Sequence, residues 1–488
     1  MPRKPKARDG LSAGERVKLY EAQQEAKRAS VAENTDKSDT NTAEPEIAKP
    51  KTKKQLPKPQ HAVVNVDLSV NVGEVKAMHG VLNGPFSYGS ELSEIYKEIS
   101  APIIRLDGGD GACSLGDIFK WWGADPHDES SYTFSPADNV VASACATGAQ
   151  IIFKLGFSKD IISRSNEGIP NVPTDTLVRI CMKIVKRYRE RGVGCFEISD
   201  ICPSERRREV YSRLCEAIKL YDEDILVGAS VSSELTGDDR ELLKYCKKNH
   251  IPVDVLSVSS FGECVEDEAD KIEKISAYLK NLGIDEVGII AVISYAPLSS
   301  AGISEIPSLF SPLCSAESRK GFFDKRRQTE GAAYLGAMML RLGEIDGVIG
   351  ACAHDCRPYS SPWCPLTDAY GNKEKPFYVY REFSRLYRSR ARSLCLCEQA
   401  PEMMRHPGIY ATASTGKNEA FCFISSFDGC SVVDLRLDGI PDNFYSAEVY
   451  MLDGVKNMSL ADTVPLSGMK KRLLLNVSQY GAILIRLY

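Results

Sequence analysis

Residues 177–198 read LVRICMKIVKRYRERGVGCFEI, and this stretch decides the fold. Leu177, Ile180, Cys181, Ile184, Val185 and Tyr188 recur at helical spacing and share one face of an amphipathic helix. Residues 194–198 then form a short apolar strand. The same unit recurs along the chain. Strands are expected near 78–82, 102–106, 150–155, 194–198, 225–231, 253–258, 287–294 and 347–352. Further helical faces carry Val210, Leu214, Ala217, Ile218 and Tyr221, and later Ile272, Ile275 and Leu279. Short buried strands alternating with amphipathic helices argue for a parallel sheet. Eight units over about 300 residues fit a closed α/β fold, the (β/α)8 TIM barrel, better than an open sheet. No Gly-x-Gly-x-x-Gly follows any strand, which argues against a dinucleotide site.

The flanks read differently. After about residue 400 the helices stop. Gly408 to Ala413 opens a run of short strands, spaced by turns such as Thr415 to Asn418 and Leu437 to Gly439, and Gly481 to Tyr488 is the last of them. Residues 399–488 are therefore expected to form a C-terminal β-sandwich domain. Residues 61–75 alternate, with Val64, Val66, Leu68 and Val70 on one side and Asn65, Asp67 and Ser69 on the other. That is a half-buried strand. It is expected to join the sandwich, because a strand outside the barrel needs a sheet partner. The barrel then spans 76–398.

Residues 1–60 are poor in large apolar side chains and rich in Lys, Glu, Ala, Asn, Thr and Pro. Such a segment buries too little surface to offset its chain entropy, so a disordered N-terminal tail is expected. Its net basic charge suits a solvated tail or a docking arm for an acidic protein partner.

Composition narrows the function. Apolar residues make up 43% of the chain and charged residues 26%, as in ordinary globular proteins. A formal net charge of -5 gives no nucleic-acid signature. No apolar run approaches the roughly 20 residues that span a bilayer, so no membrane partner is expected. The basic start lacks the apolar core of a secretory signal. The 16 Cys are scattered without a disulfide spacing, which suits reduced thiols and a cytoplasmic location. His354, Asp355, Cys356 and Cys364 match no standard zinc spacing, and no metal or cofactor is expected.

Several segments together resemble glycoside hydrolase family 39, the β-xylosidase and α-iduronidase group of clan A. The resemblance covers roughly residues 61–488. His79 to Pro85 is similar to the opening of the family's first barrel strand, and Ile104-Arg105-Leu106-Asp107 to its second. Trp122 to Pro126, followed by Ser131 to Phe134, resembles the next loop. Phe196-Glu197-Ile198 resembles the start of Phe-Glu-Ile-Trp-Asn-Glu-Pro, and Leu243 to Cys246 with Ile251 to Ser257 resembles the sixth unit. Lys375 to Tyr378, leading to Phe383 and Leu386, resembles the helix that closes the barrel.

The departures fall at the chemistry. Retaining glycosidases use two carboxyl groups about 5–5.5 Å apart, an acid/base and a nucleophile. The resemblance places the acid/base on Ile201, after the fourth barrel strand, and the nucleophile on Ser294, at the end of the seventh. Neither is acidic. The family's sugar-steadying Asn becomes Asp200, its His after the strand-two Arg becomes Asp107, and its His-x-Tyr becomes Ser259-Ser260-Phe261. Asp107 and Asp200 are the candidates for a displaced acid and base. The competing reading is that such acids bond loop amides and barrel arginines. Glu197 is expected to pair with a buried partner such as Arg105.

The resemblance implies a glycan or glycoside ligand. Arg105, Asp110, Ser259, Phe261, Tyr295, Asp355 and Trp363 are the candidate binding residues. Trp121, Trp122 and Tyr359 are further aromatic candidates in mouth loops. No Gly-x-Ser-x-Gly elbow or His base supports a serine hydrolase at Ser294. The leading expectation is a glycosidase-like protein that lacks standard retaining hydrolysis and acts as a glycan-binding or scaffold pseudoenzyme. The alternatives are an active xylosidase-like glycosidase using displaced carboxylates, and a structural protein-interaction barrel.

Overall fold

The structure, a computed structural model, describes residues 61–488 apart from 88–89, 109–111, 120, 158–168, 298–314, 358–362, 369, 399–407 and 430–431. The tail 1–60, Asp110 and Tyr359 lie outside the described residues.

Strand β1 (His61–Glu74) precedes the barrel. The barrel strands are β2 (Ala77–Leu82), β3 (Ile103–Leu106), β4 (Gln150–Leu155) and β5 (Cys195–Ile198). They continue with β6 (Leu226–Val231), β7 (Val255–Gly262), β8 (Gly288–Tyr295) and β9 (Val348–Ala353). All pair in parallel in chain order, and β9 closes on β2. The closed eight-stranded barrel agrees with the sequence reading. β8 is buried at every position because one side faces the barrel interior and the other faces helices.

The principal outer helices are α1 (Ser93–Ile99), α2 (Ser135–Ala146), α3 (Thr174–Arg189), α4 (Arg207–Tyr221) and α5 (Gly237–Asn249). They are followed by α6 (Val265–Leu282), α7 (Ala316–Arg327), α8 (Thr329–Gly343) and α9 (Lys375–Ser389). In α3 the expected apolar face is the buried face. A capping box starts α5. Thr236 Oγ1 accepts from the Asp239 N–H at 3.3 Å, and the Asp239 carboxylate accepts from the Thr236 N–H at 3.0 Å. Thr236→Ala is expected to lower stability by about 1 kcal/mol. The urea midpoint should fall with an unchanged slope.

The second domain is one continuous nine-stranded mixed sheet. In it β1 runs antiparallel to β10 (Ala391–Glu398) and parallel to Val432–Asp438. Leu435 and Val449, from opposite halves of the sheet, share one apolar cluster, so the sheet curls over its own core. Side chains alternate along Ala420–Phe427. Ala420, Cys422 and Ile424 enter that core, while Phe421 and Phe423 join the barrel's. Helix α8 lies between barrel and sheet and is buried nearly all round. Ser425 Oγ donates to the Ala333 carbonyl at 2.9 Å across that contact.

Parallel strands bring all eight C-terminal ends to one face. The side chains gathered there form the candidate site. No helix among the described residues is long and apolar enough to cross a membrane.

Candidate functional site

A cleft of about 700 Å³ opens at this mouth. Its base is a buried ion pair. Arg105 of β3 donates from Nε and Nη2 to Glu197 of β5 at 2.8 and 2.5 Å. Ser257 Oγ of β7 donates to the same carboxylate at 2.5 Å. The three residues stand on alternate strands, which is how a barrel builds one interior layer. Burial alone would raise the Glu197 carboxyl, but Arg105 and Ser257 outweigh it and hold it below its ordinary value. Glu197 thus takes the partner expected for it.

Asp200 follows β5 in the left-handed region, with φ 51°. An Asp tolerates that conformation better than a branched residue does. Its carboxylate accepts from Lys154 Nζ of β4 at 2.7 Å, and the same ammonium donates to the Phe157 carbonyl at 3.1 Å. The Lys154 side chain is only 4% exposed. Ile201 is buried and contributes apolar wall to the cleft.

Ser294, near the end of β8, is buried. Its Oγ accepts from Arg326 Nη1 of α7 at 2.6 Å. The Arg326 guanidinium also bonds the Tyr295 carbonyl, the His354 carbonyl at 2.8 Å and the Trp363 carbonyl at 2.9 Å. Its centre stands 4.9 Å from the Trp363 ring. Burial lowers the Arg326 pKa to about 10.

Asp107 and Asp355 meet across Asn83. Asn83 Nδ2 donates to Asp107 Oδ1 at 2.8 Å and to Asp355 Oδ1 at 3.2 Å. Asn83 Oδ1 accepts from the Asp107 N–H at 3.0 Å. Arg357 Nε donates to Asp355 Oδ2 at 2.5 Å. Burial raises the Asp355 carboxyl despite the opposing pull of Arg357, and the Asp107 charge adds to the rise. The displaced acid and base envisaged from sequence, Asp107 and Asp200, both line the cleft. Asp107 is bridged to Asp355, while Asp200 belongs to Lys154.

The remaining candidates divide. Ser259, Phe261 and Trp363 line the cleft with Arg105 and Asp355. Phe261 packs on His354 with ring centres 4.8 Å apart, and Trp363 packs on His354 at 5.9 Å. These rings form an aromatic corner. Tyr295 does not join them. It is buried against Tyr334 and Phe427, and its hydroxyl donates to Glu330 Oε2 at 3.3 Å. Trp121 is 71% exposed and Trp122 packs on Phe119 and Phe157, both outside the cleft lining. No group of three or more metal-ligating side chains occurs among the described residues.

Neither a protein-family profile nor a curated protein sequence matches the chain. Solved structures do. A glucosidase from Croceicoccus marinus superposes with a TM-score of 0.69 at 16% identity, over 87% of this chain and 98% of that one. A glycoside hydrolase family 30 endoxylanase from Clostridium papyrosolvens gives 0.56 at 14% identity, over 87% and 99%. An α-L-arabinofuranosidase from Thermotoga maritima gives 0.57 at 12% identity, over 87% and 99%. The chain has the fold of these glycosidase structures.

On that fold, four polar residues of the site escaped sequence reading. Lys154 stands as a single cation in the apolar run Gln150–Leu155, which was a usable signal. Asn83 and Arg357 carry no pattern of their own. Arg326 lies in the charged helix Ala316–Arg327 and reads there as a solvated face.

Proposed function

We propose that this protein is a carbohydrate-binding barrel that has given up retaining glycoside hydrolysis. The observation that carries the reading is the Arg326 contact at Ser294. Family resemblance puts the nucleophile at that position, and a buried guanidinium occupies its hydroxyl. Ile201, the corresponding acid/base position, cannot move a proton. Retention requires carboxyl groups at both places. The cleft volume of about 700 Å³ lies within the range typical of small-ligand pockets. The aromatic corner offers a face for a sugar ring, and Ser259 and Asp355 offer hydrogen bonds beside it. The described cysteines are all free thiols, which supports a cytoplasmic setting.

Calorimetric titration with xylose, arabinose, glucose and glucuronate oligomers tests this reading. At least one is expected to bind, and Trp363→Ala should weaken it about tenfold, or about 1.4 kcal/mol. Absence of binding to every member by folded protein would remove the glycan assignment. So would an affinity that ignores Trp363→Ala.

A second reading is favoured by one observation. Asp355 is a buried carboxyl with a raised pKa, bridged by Asn83 to Asp107. Two carboxyl groups on one cleft, in unlike surroundings, are what acid/base catalysis uses. On this reading Asp355 donates the proton and Asp107 acts as base.

A further inference from the structure

A second pocket, of about 550 Å³, lies where the C-terminal end of α9 meets the sheet domain. Cations from three parts of the chain line it. Arg385 and Arg388 come from α9, three residues apart and so on one side of the helix. Lys417 comes from the turn between the strands Ile409–Thr415 and Ala420–Phe427. Arg486 comes from the last strand, Tyr480–Leu487, where it pairs with Phe421. None of the four lines the mouth cleft.

The lining holds one carboxylate against these four cations, that of Glu419. Arg486 Nε donates to Glu419 Oε2 at 3.0 Å, and Arg486 Nη1 stands 3.5 Å from Glu448 behind it. Arg385 Nε stands 3.1 Å from Glu382, a carboxylate already held by Arg381 Nη2 at 2.6 Å. Arg388 Nη1 donates to a neutral group, Ser100 Oγ, at 3.3 Å. Neither Arg388 nor Lys417 forms an ion pair among the described residues. Two rings steady the half-buried arginines. Arg385 lies over Tyr450 at 5.9 Å from the ring centre, and Arg486 over Tyr488 at 5.0 Å.

Ordinary surface charge does not account for this group. The chain has a formal net charge of -5, so a local excess of cations runs against the whole. The negative end of the α9 dipole favours a cation in its last turn, which explains Arg388. It does not explain Lys417 and Arg486, which the sheet brings to the same cavity. Like charges gathered from separate segments repel one another, and an anion between them removes that cost.

We propose that this pocket binds a small ligand through a phosphate or sulfate group. Guanidiniums offer such an oxyanion paired N–H donors, and the lysine adds a flexible point charge. The volume lies within the range of small-ligand pockets. An occupant would bond barrel and sheet at once, so its binding should also raise the melting temperature.

The test uses the full chain, with inorganic phosphate and inorganic sulfate as the probes in calorimetric titration. At least one is expected to bind at a single site, and the tighter of the two names the group. Affinity should fall as sodium chloride is added. Arg388→Gln combined with Lys417→Gln, both at exposed positions, should weaken binding about tenfold. Trp363→Ala, in the mouth cleft, should leave it unchanged. A second readout needs no variant. The bound anion should protect Lys417 from acetylation, read by mass spectrometry of the digested protein. Absence of saturable binding by folded protein would overturn the proposal. So would binding that leaves Lys417 unprotected, that the double variant does not weaken, or that Trp363→Ala removes, because the anion would then sit elsewhere.

Discussion

Glu197→Ala is expected to destabilise the barrel by about 3–5 kcal/mol, because it leaves a buried Arg105 without its counter-charge. The pair is almost fully buried, with side-chain exposures of 8% for Arg105 and 1% for Glu197. Ser257 would lose its acceptor in the same step. Replacing both partners, as Arg105→Met with Glu197→Leu, should restore most of the loss, since apolar pairs of similar volume often match buried ion pairs. Urea unfolding of the two single variants and the double variant measures this as a cycle. A single-variant loss below about 1 kcal/mol would mean that the pair is solvated or redundant.

The same pair sets an acid limit. The Glu197 carboxyl is held below its unfolded value, so it releases its proton more readily in the folded chain. Its stabilisation is fully present above the unfolded pKa, about 4.3, and is lost as pH falls through the lower folded value. Wild type should therefore lose stability below about pH 4, and the Glu197→Ala variant should lose less over that window.

Gly156→Ala should be nearly as damaging. A Cβ at Gly156 would sit 1.7 Å from the Ser199 carbonyl oxygen, a backbone atom that cannot rotate away. Gly156 and Ser199 directly follow the neighbouring strands β4 and β5. The loops there are tied together, since the Phe157 N–H donates to the Asp200 carbonyl at 3.0 Å and the Leu115 N–H donates to the Gly156 carbonyl at 3.0 Å. Making room would push Asp200 and Lys154 apart. An overpacking cost of about 3 kcal/mol is expected. Thermal unfolding should show it, and a variant as stable as wild type would mean that these strand exits are not closely packed.

The barrel was legible because its strands are apolar runs set between helices of clear periodicity. Their mouth ends were less so. β7 continues to Gly262 and β8 to Tyr295, through hydroxyl and aromatic residues that do not read as buried strand. The Arg105–Glu197 pair was legible from chemistry, since opposite charges inside apolar strands must find each other. Arg326 was not, because nothing in a charged helix tells which cation turns inward. The Asp107 and Asp355 link depends on Asn83, and a neutral amide leaves no charge pattern to read. Tyr295 misled for a related reason. A strand-end aromatic can point to the mouth or to the helix layer, and here Glu330 and Phe427 hold it in the layer.

The central claim is that the mouth no longer supports retaining hydrolysis. Turnover of aryl xyloside, arabinoside, glucoside and iduronide by purified protein tests it most directly, with Asp107→Asn, Asp200→Asn and Asp355→Asn alongside. No turnover above the no-enzyme rate is expected from folded wild type on any substrate. Turnover that Asp107→Asn or Asp355→Asn abolishes would contradict the account and identify a relocated acid/base pair.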